Sequence, residues 1–245
     1  LRVVLGMAET CKADEELSAL HEQVADFCVE FGRLREWDVF VTQILPPIRK
    51  QLAKHAELRG LLHASEKLRG KHHDNVQGRL QSQDYQRFLL RFGAWMNGDY
   101  WKQLAQDNSL TLMDFAVQIM DKRSRQVGKR GKRIQDADPD QLHSLRIACK
   151  KLRYGAEIFA TLFEPKAGKR YLSALAVLQD VLGTLNDIVV TQRLLGELEA
   201  VGQREPALLV RGWLGRDYLA RRARLNKAWK QFSRQNIFRR DASGK

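Results

Sequence analysis

The clearest secondary-structure signal in the chain lies in residues 138–163, which read DPDQLHSLRIACKKLRYGAEIFATLF. Asp138 followed by Pro139 is typical of a helix start, because Asp caps free amides and proline fits the first helical position. Apolar residues then recur every three or four positions and predict one buried face: Leu142, Leu145, Cys149, Leu152, Ala156, Phe159 and Phe163. We expect Pro165 to end this helix.

The rest of the chain has the same helical character. Leu, Ala, Gln, Glu, Lys and Arg dominate, and no segment alternates polar and apolar residues long enough to indicate a strand. The sequence therefore predicts an all-α protein. With 245 residues, of which 44% are hydrophobic, the chain is long enough to form a core, and this excludes a wholly disordered protein.

Cellular location can be inferred from apolar runs and cysteines. Apolar runs are short and no basic-then-apolar leader is visible, so we expect neither a membrane span nor a secretory signal. Three widely spaced cysteines, Cys11, Cys28 and Cys149, argue against a disulfide framework or zinc ribbon and favour the cytoplasm. His72-His73-Asp74 suggests a metal site, but adjacent histidines diverge on a helix, so we expect a solvated helix end.

The formal net charge is +13, and the positive charge is concentrated in two segments. Residues 122–133 (KRSRQVGKRGKR, the basic segment) hold seven cations and no anion, and residues 211–240 hold ten cations and one anion. Concentrated positive charge attracts polyanions such as nucleic acid, anionic lipid or a phosphate polymer. Gly128 and Gly131 interrupt the basic segment, which is compatible with a loop that wraps phosphates with backbone amides.

A cationic stripe lies beside the apolar face of the 138–163 helix. Its four members fall within about 80° of the helix circumference and along about 15 Å of its length: His143, Arg146, Lys150 and Arg153. Arg can pair two phosphate oxygens, Lys supplies a point charge and His adds a hydrogen bond. The structural alternative is that the stripe pairs with acidic residues of a neighbouring helix, for which the candidates are Glu30, Glu36, Asp180 and Asp187.

The chain also contains an internal repeat. At an offset of 151 residues, Gly32-Arg33-Leu34-Arg35-Glu36 matches Gly183-Thr184-Leu185-Asn186-Asp187 without a gap, and Leu1-Arg2 matches Leu152-Arg153. We interpret this as one helical unit used twice, over residues 1–120 and 121–245. The counterpart of residues 141–151 would fall before Leu1, so we expect the first repeat to lack its N-terminal turns.

These motifs resemble the CHAD domain, the conserved histidine α-helical domain, over essentially the whole chain. The strings that carry the resemblance are His143-x-x-Arg146-x-x-x-Lys150-x-Leu152-Arg153-Tyr154, Leu178-Gln179-x-x-Leu182-Gly183-x-Leu185-Asn186-Asp187 and FGRLREWDV at residues 31–39, where Glu36 stands for the usual Asp. The resemblance implies a single domain over residues 1–245, with two pseudo-symmetric helical bundles around a basic groove. It also implies binding of inorganic polyphosphate, often at polyphosphate granules.

Candidate polyphosphate-binding residues come from the resemblance and from the charge pattern. By resemblance they are His143, Arg146, Lys150, Lys151, Arg153, Tyr154 and Arg2, the repeat mate of Arg153. The two basic segments add Lys122, Arg125, Lys129, Arg130, Lys132, Arg133 and Arg216, and Arg35 of the FGRLREWDV string is a further candidate. The E-x-E-x-K motif of fused triphosphate-tunnel domains is absent from the sequence, so we expect no hydrolase, metal or cofactor.

We therefore expect a non-enzymatic polyphosphate-binding protein in the cytoplasm or at polyphosphate granules. One alternative is a nucleic-acid-binding protein, because the same charges would attract DNA or RNA. The others are a phosphotransfer or phosphatase enzyme with His143 as nucleophile, and a scaffold that docks on an acidic protein. Against nucleic acid, the tryptophans are spaced like packing residues and not like base-stacking platforms: Trp37, Trp95, Trp101, Trp213 and Trp229.

Overall fold

The computed structural model describes residues 1–11, 14–99, 101–102 and 111–235. Its helices are α1 (Arg2–Ala8), α2 (Glu15–Val39), α3 (Leu45–Gln51), α4 (Leu58–Gln81), α5 (Gln83–Asn97), α6 (Leu112–Gly131), α7 (Pro139–Ile158), α8 (Pro165–Ala200) and α9 (Arg204–Ser233). A π-helical turn over Phe40–Ile44 joins α2 to α3, and a 3-10 turn over Ala160–Leu162 follows α7. The described residues contain no strand, so the all-α prediction is confirmed.

The chain divides by its contacts into two units. The first unit comprises Leu1–Ser109 and Val190–Trp213, and the second unit comprises Leu110–Val189 and Leu214–Lys245. The long helices α8 and α9 therefore contribute residues to both. The proposed repeats over residues 1–120 and 121–245 are defined by sequence, and their pseudo-symmetry stays a prediction.

The core of the first unit is rich in aromatic rings. Phe27 on α2 meets Tyr85 and Phe88 on α5 edge-on, each with ring centroids 5.2 Å apart. Trp95 contacts Trp101 in the same way at 4.9 Å. Aromatic burial of this kind supplies much of the free energy of packing. Buried Trp37 and Trp95 and partly buried Trp101, which packs against this core, have the packing role that their spacing predicted.

The core of the second unit is built around α7, which packs against α6. The predicted N-cap at Asp138 is confirmed and forms a full capping box, since the Asp138 carboxylate accepts from the Gln141 amide at 2.8 Å and the Gln141 side chain accepts from the Asp138 amide. This box starts the helix at a defined residue. The predicted apolar face is buried at Leu142, Leu145, Cys149, Leu152, Ala156 and Phe159.

The structure corrects three local expectations. Helix α7 ends at Ile158, because the buried ring of Phe159 packs edge-on against Phe115 at 5.9 Å and the backbone leaves the helix there. The basic segment is helical as far as Gly131 and is not a loop. His72 lies inside α4, stacked on Trp37 with ring centroids 6.4 Å apart, and not at a solvated helix end.

Helix α8 is long and apolar enough to cross a membrane. One 18-residue window has a mean hydropathy of 1.4, and 39% of that window is buried in the protein. The same composition suits a helix that packs inside a bundle, and its buried positions include four regularly spaced leucines: Leu175, Leu178, Leu182 and Leu185. The expected absence of a membrane span stays a prediction.

Candidate functional site

The cationic stripe begins at His143, one turn after the capped start of α7. Its Nδ1 lies 2.6 Å from the side-chain oxygen of Asn186 on α8. An amide oxygen can only accept, so with this geometry Nδ1 carries the hydrogen and donates it. The ring itself is exposed. The first member of the stripe is therefore held by Asn186, which belongs to the string at residues 178–187 that resembles the family.

Lys150 and Arg146 form the middle of the stripe. Partial burial of the Lys150 ammonium lowers its pKa, the positive charge of Arg146 lowers it further, and the carboxylate of Asp187 offsets part of this effect. Arg146 is half-buried and forms no ion pair within the described part of the chain. An anion bound here would meet two neighbouring cations, Arg146 and Lys150. The Asp187 carboxylate favours the charged form of Lys150.

Arg153 closes the stripe and is fixed by two contacts. Its Nε donates to Glu157 at 2.7 Å and one terminal nitrogen donates to the Gln179 oxygen at 3.2 Å. The Gln179 side-chain nitrogen is buried and has no hydrogen-bond partner among the described residues. Arg153 is therefore oriented along α8, and its remaining donors are available to a ligand.

The structural alternative for the stripe holds in part. Asp187 acts on Lys150 and Asp180 acts on Arg153 by charge. The other two candidates lie in the first unit, where Glu30 pairs with Arg79 and Glu36 accepts from Arg193. The sequence analysis missed Glu157, although its spacing of four residues from Arg153 on one helix is a known signal for an ion pair.

The basic segment forms the last turns of α6 and the start of the next turn. Arg123 is half-buried, where burial lowers its pKa, and donates to the Lys151 carbonyl at 2.6 Å, so it ties α6 to α7. The other six cations are exposed and form no ion pair with any described carboxylate: Lys122, Arg125, Lys129, Arg130, Lys132 and Arg133. Arg125 and Arg130 reach only carbonyls of their own helix, both at 3.3 Å.

An open cleft of about 750 Å³, here called the basic cleft, lies between the end of α6 and the start of α7. Its lining residues are Gln126, Lys129, Arg130, Lys132, Arg133, Asp138, Asp140, Gln141 and Ser144. Four cations therefore face two carboxylates, and one of these, Asp138, is engaged in the capping box. Sequence analysis missed Asp140, Gln141 and Ser144, since only folding brings the start of α7 beside the basic segment.

The stripe and the basic cleft lie on opposite flanks of α7. At about 100° per residue, the directions of the stripe and of Asp140, Gln141 and Ser144 differ by roughly 140° around the helix. The hydrogen bonds agree, because the stripe contacts α8 through His143 and Arg153, whereas α6 reaches α7 from the other side through Arg123. The described residues of the second unit thus present a cationic surface on each flank of α7.

The remaining predicted residues lie on four different helices. Lys151 and Tyr154 are exposed on α7, and Arg216 is exposed on α9 in the second unit. Arg2 on α1 and Arg35 on α2 are exposed in the first unit, and their part in a phosphate site stays a prediction.

Several cations of residues 211–235 have structural contacts. Arg211 pairs with Glu199 at 3.0 Å, Arg221 pairs with Asp217 at 2.6 Å, and Arg222 donates to the carbonyls of Gln135 and Ala137. The cations at 239 and 240 lie outside the described residues. Among the residues that the structure does describe, no three His, Cys, Asp or Glu side chains are grouped closely enough to hold a metal ion.

Comparison with known proteins agrees with this helical architecture. The family model for the CHAD domain matches residues 1–196. The crystal structure of the CHAD domain from the plant Ricinus communis is similar with a TM-score of 0.81 and 30% sequence identity, covering 97% of this chain and 78% of that one. Among curated proteins, none matches the chain. The family match spans most of the chain and the fold is shared, so this chain belongs to the CHAD domain family.

Proposed function

We propose that this chain is a non-enzymatic module that binds inorganic polyphosphate through the cationic surfaces of its second unit. The observation that carries the proposal is the set of six exposed cations in the basic segment that have no carboxylate partner among the described residues. Like charges so close together repel one another, and an external polyanion relieves that repulsion. Four of these cations line one cleft.

The chemistry of the cleft favours a phosphate polymer over nucleic acid. Among the described residues that line it, none is aromatic. Stacking on aromatic rings contributes about 1–3 kcal/mol per base to single-strand binding, and this contribution has no source in the cleft. Polyphosphate carries dense charge without bases, so it uses the arginines and lysines without needing a stacking platform. In the cell, such a module would associate with polyphosphate granules.

The two surfaces have different roles in the proposal. The basic cleft supplies four cations that form no ion pair with a described carboxylate, and binding there releases counterions from the polymer. The stripe supplies donors oriented by α8, among them Nη2 of Arg153, the guanidinium nitrogen with no hydrogen bond to a described residue. A long polymer has many phosphates with which to engage both surfaces, so affinity should rise with chain length.

The first experiment is a competition titration with labelled long-chain polyphosphate at about 0.15 M salt, where weak long-range attraction is screened. Short polyphosphate, duplex DNA and single-stranded RNA serve as competitors. The proposal expects polyphosphate to compete at far lower phosphate concentration than either nucleic acid. Equal competition by nucleic acid would show a generic basic surface and contradict the proposal.

A set of charge variants then locates the site. The cleft variant replaces Lys129, Arg130, Lys132 and Arg133 with Gln, and its control removes the same charge from the first unit at Arg49, Lys50, Lys54 and Arg59. Removing four cations that pair with phosphates should weaken binding at least about 100-fold in the cleft variant, and much less in the control. Equal effects in the two variants would mean that affinity follows net charge and that the cleft is not a site.

A second variant tests the stripe. Replacing Arg146 and Arg153 together with Ala should weaken binding at least about tenfold, since each charged hydrogen bond contributes about 1.5–3 kcal/mol at most and solvent reduces this. An unchanged affinity in the double variant would restrict the proposed site to the basic cleft.

The enzymatic alternative has its own test. If His143 were a phosphate-accepting nucleophile, polyphosphate incubated with Mg²⁺ and protein would release phosphate, and His143→Gln would abolish the release. We expect no release above that of buffer. Turnover that depends on His143 would replace the binding proposal with a catalytic one.

A further inference from the structure

We propose that Asn186 is a positioning residue that fixes the His143 ring so that Nε2 is the atom presented to a phosphate oxygen. This inference rests on the proposed function, because it concerns the stripe. Its basis is the 2.6 Å contact between His143 Nδ1 on α7 and Asn186 Oδ1 on α8, two residues 43 positions apart in the chain. His143 is exposed and Asn186 is half-buried, so the acceptor lies on the packed side of the ring.

The direction of this hydrogen bond assigns a role to each ring nitrogen. The amide oxygen accepts, so Nδ1 must carry hydrogen in both the neutral and the protonated ring. Nε2 is then the nitrogen left for a ligand. In the neutral ring Nε2 carries only a lone pair, which repels a phosphate oxygen, whereas in the protonated ring Nε2–H donates to it. The Asn186 contact persists in both forms, so the ring keeps its orientation when a phosphate binds.

The same turn of α8 supports a second member of the stripe. Asp187 follows Asn186 directly, and its negative charge acts on Lys150. Asn186 and Asp187 therefore act on two of the four stripe residues. Asn186 accepts a hydrogen bond from His143, and Asp187 acts on Lys150 by its charge. At the matching position of the first repeat the residue is Arg35, which has no acceptor and could not hold a histidine in this way.

The tautomer of His143 tests the inference without any ligand. Two-bond proton–nitrogen NMR spectra of the full chain at alkaline pH report which ring nitrogen is protonated, and His143→Gln assigns the signal. We expect the Nδ1–H tautomer in the wild type and in Asn186→Asp, which keeps an oxygen acceptor. Asn186→Leu should move the ring towards the Nε2–H tautomer that free histidine prefers. A wild-type Nε2–H signal would mean that the amide is turned and would overturn the inference.

A double-mutant cycle shows whether Asn186 acts through His143. Removal of the orienting hydrogen bond in Asn186→Leu should weaken long-chain polyphosphate binding about fivefold. In the His143→Gln background the same substitution should change affinity by less than about twofold, because coupled residues are not additive. Thr184→Val controls for surface changes on α8, since the Thr184 hydroxyl bonds its own helix at Asp180, and it should leave both readouts unchanged.

The outcomes separate the inference from the proposed function. If Asn186→Leu costs as much affinity without His143 as with it, Asn186 contributes to structure and not to positioning, and the inference fails. If the wild type does not bind polyphosphate, the proposed function fails. The proposed contact of Nε2 with a phosphate oxygen then fails as well. The NMR result on the Asn186 contact is unaffected by that second failure.

Discussion

Gly131 shows how one missing side chain permits the packing of the second unit. A Cβ at this position would lie 2.0 Å from Cη2 of the Trp229 ring, far closer than any van der Waals contact. The ring packs in turn against Phe232, with centroids 6.1 Å apart. Gly131→Ala must therefore displace Trp229 and should lower the free energy of unfolding by about 1–3 kcal/mol, measured by urea denaturation.

The matched control is Gly128→Ala in the same helix. A Cβ there would meet no described heavy atom within 4 Å. Alanine is a better helix former than glycine, so this variant should gain about 0.5–1 kcal/mol. Similar effects in the two variants would show that the Trp229 contact is not the cause.

Cys28 and Cys149 differ in burial, and we therefore expect them to differ in reactivity towards thiol reagents. Cys149 is fully buried on the apolar face of α7, and burial raises the pKa of its thiol to about 12, whereas Cys28 is exposed on α2. Because the thiolate is the reactive form, Cys149 should resist a thiol reagent from pH 7 to about 10 in the folded protein and react only after unfolding. Cys28 should react in the folded state. Mass spectrometry of the labelled peptides checks this, and early labelling of Cys149 would contradict the packing of α7.

At the scale of elements, the start of α7 depends on the turn that precedes it. One terminal nitrogen of Arg222 on α9 donates hydrogen bonds to the carbonyls of Gln135 and Ala137 at 2.8 and 2.7 Å. The capping box at Asp138 follows at once. Arg222 therefore belongs to the support of the turn, although its sequence neighbourhood suggested a ligand-binding cation.

Arg222→Met should lower the free energy of unfolding by about 1–3 kcal/mol, since it leaves two carbonyls without their charged donor. Its effect on polyphosphate affinity should be small beside that of the cleft variant. Arg224→Met, at an exposed site two residues along, removes the same charge and should change stability by less than about 0.5 kcal/mol. Urea unfolding of both variants measures the two stabilities. If Arg222→Met and Arg224→Met were equally stable, Arg222 would have no structural role.

At the scale of the whole molecule, the binding proposal predicts strong salt dependence. If about five phosphates are neutralised, raising the salt about fourfold should weaken polyphosphate binding about 100-fold. The cleft variant should show a shallower slope of log affinity against log salt, by about 0.7 for each phosphate that it no longer neutralises. Titration at several salt concentrations measures both slopes. A slope near zero in the wild type would contradict an electrostatic mechanism.

Sequence alone determined the features that depend on local chemistry. The helix start at Asp138, the apolar face of α7 and the all-α class follow from capping, periodicity and propensity, which act over a few residues. The family also followed from sequence, because its motif lies within single helices. The place of the basic segment in a helix was missed, since tertiary packing against Trp229 explains Gly131 better than turn propensity does.

Only the tertiary structure decided how charges are shared. It divides the cations into those held by the protein, such as Arg123 and Arg222, and those without a carboxylate partner among the described residues. It also places the stripe and the basic cleft on opposite flanks of α7 and brings Asn186 to His143. These outcomes depend on interactions between residues far apart in the chain. The linear order of charges indicates pairs three or four residues apart on one helix, such as Arg153 and Glu157, but not which charges meet between helices.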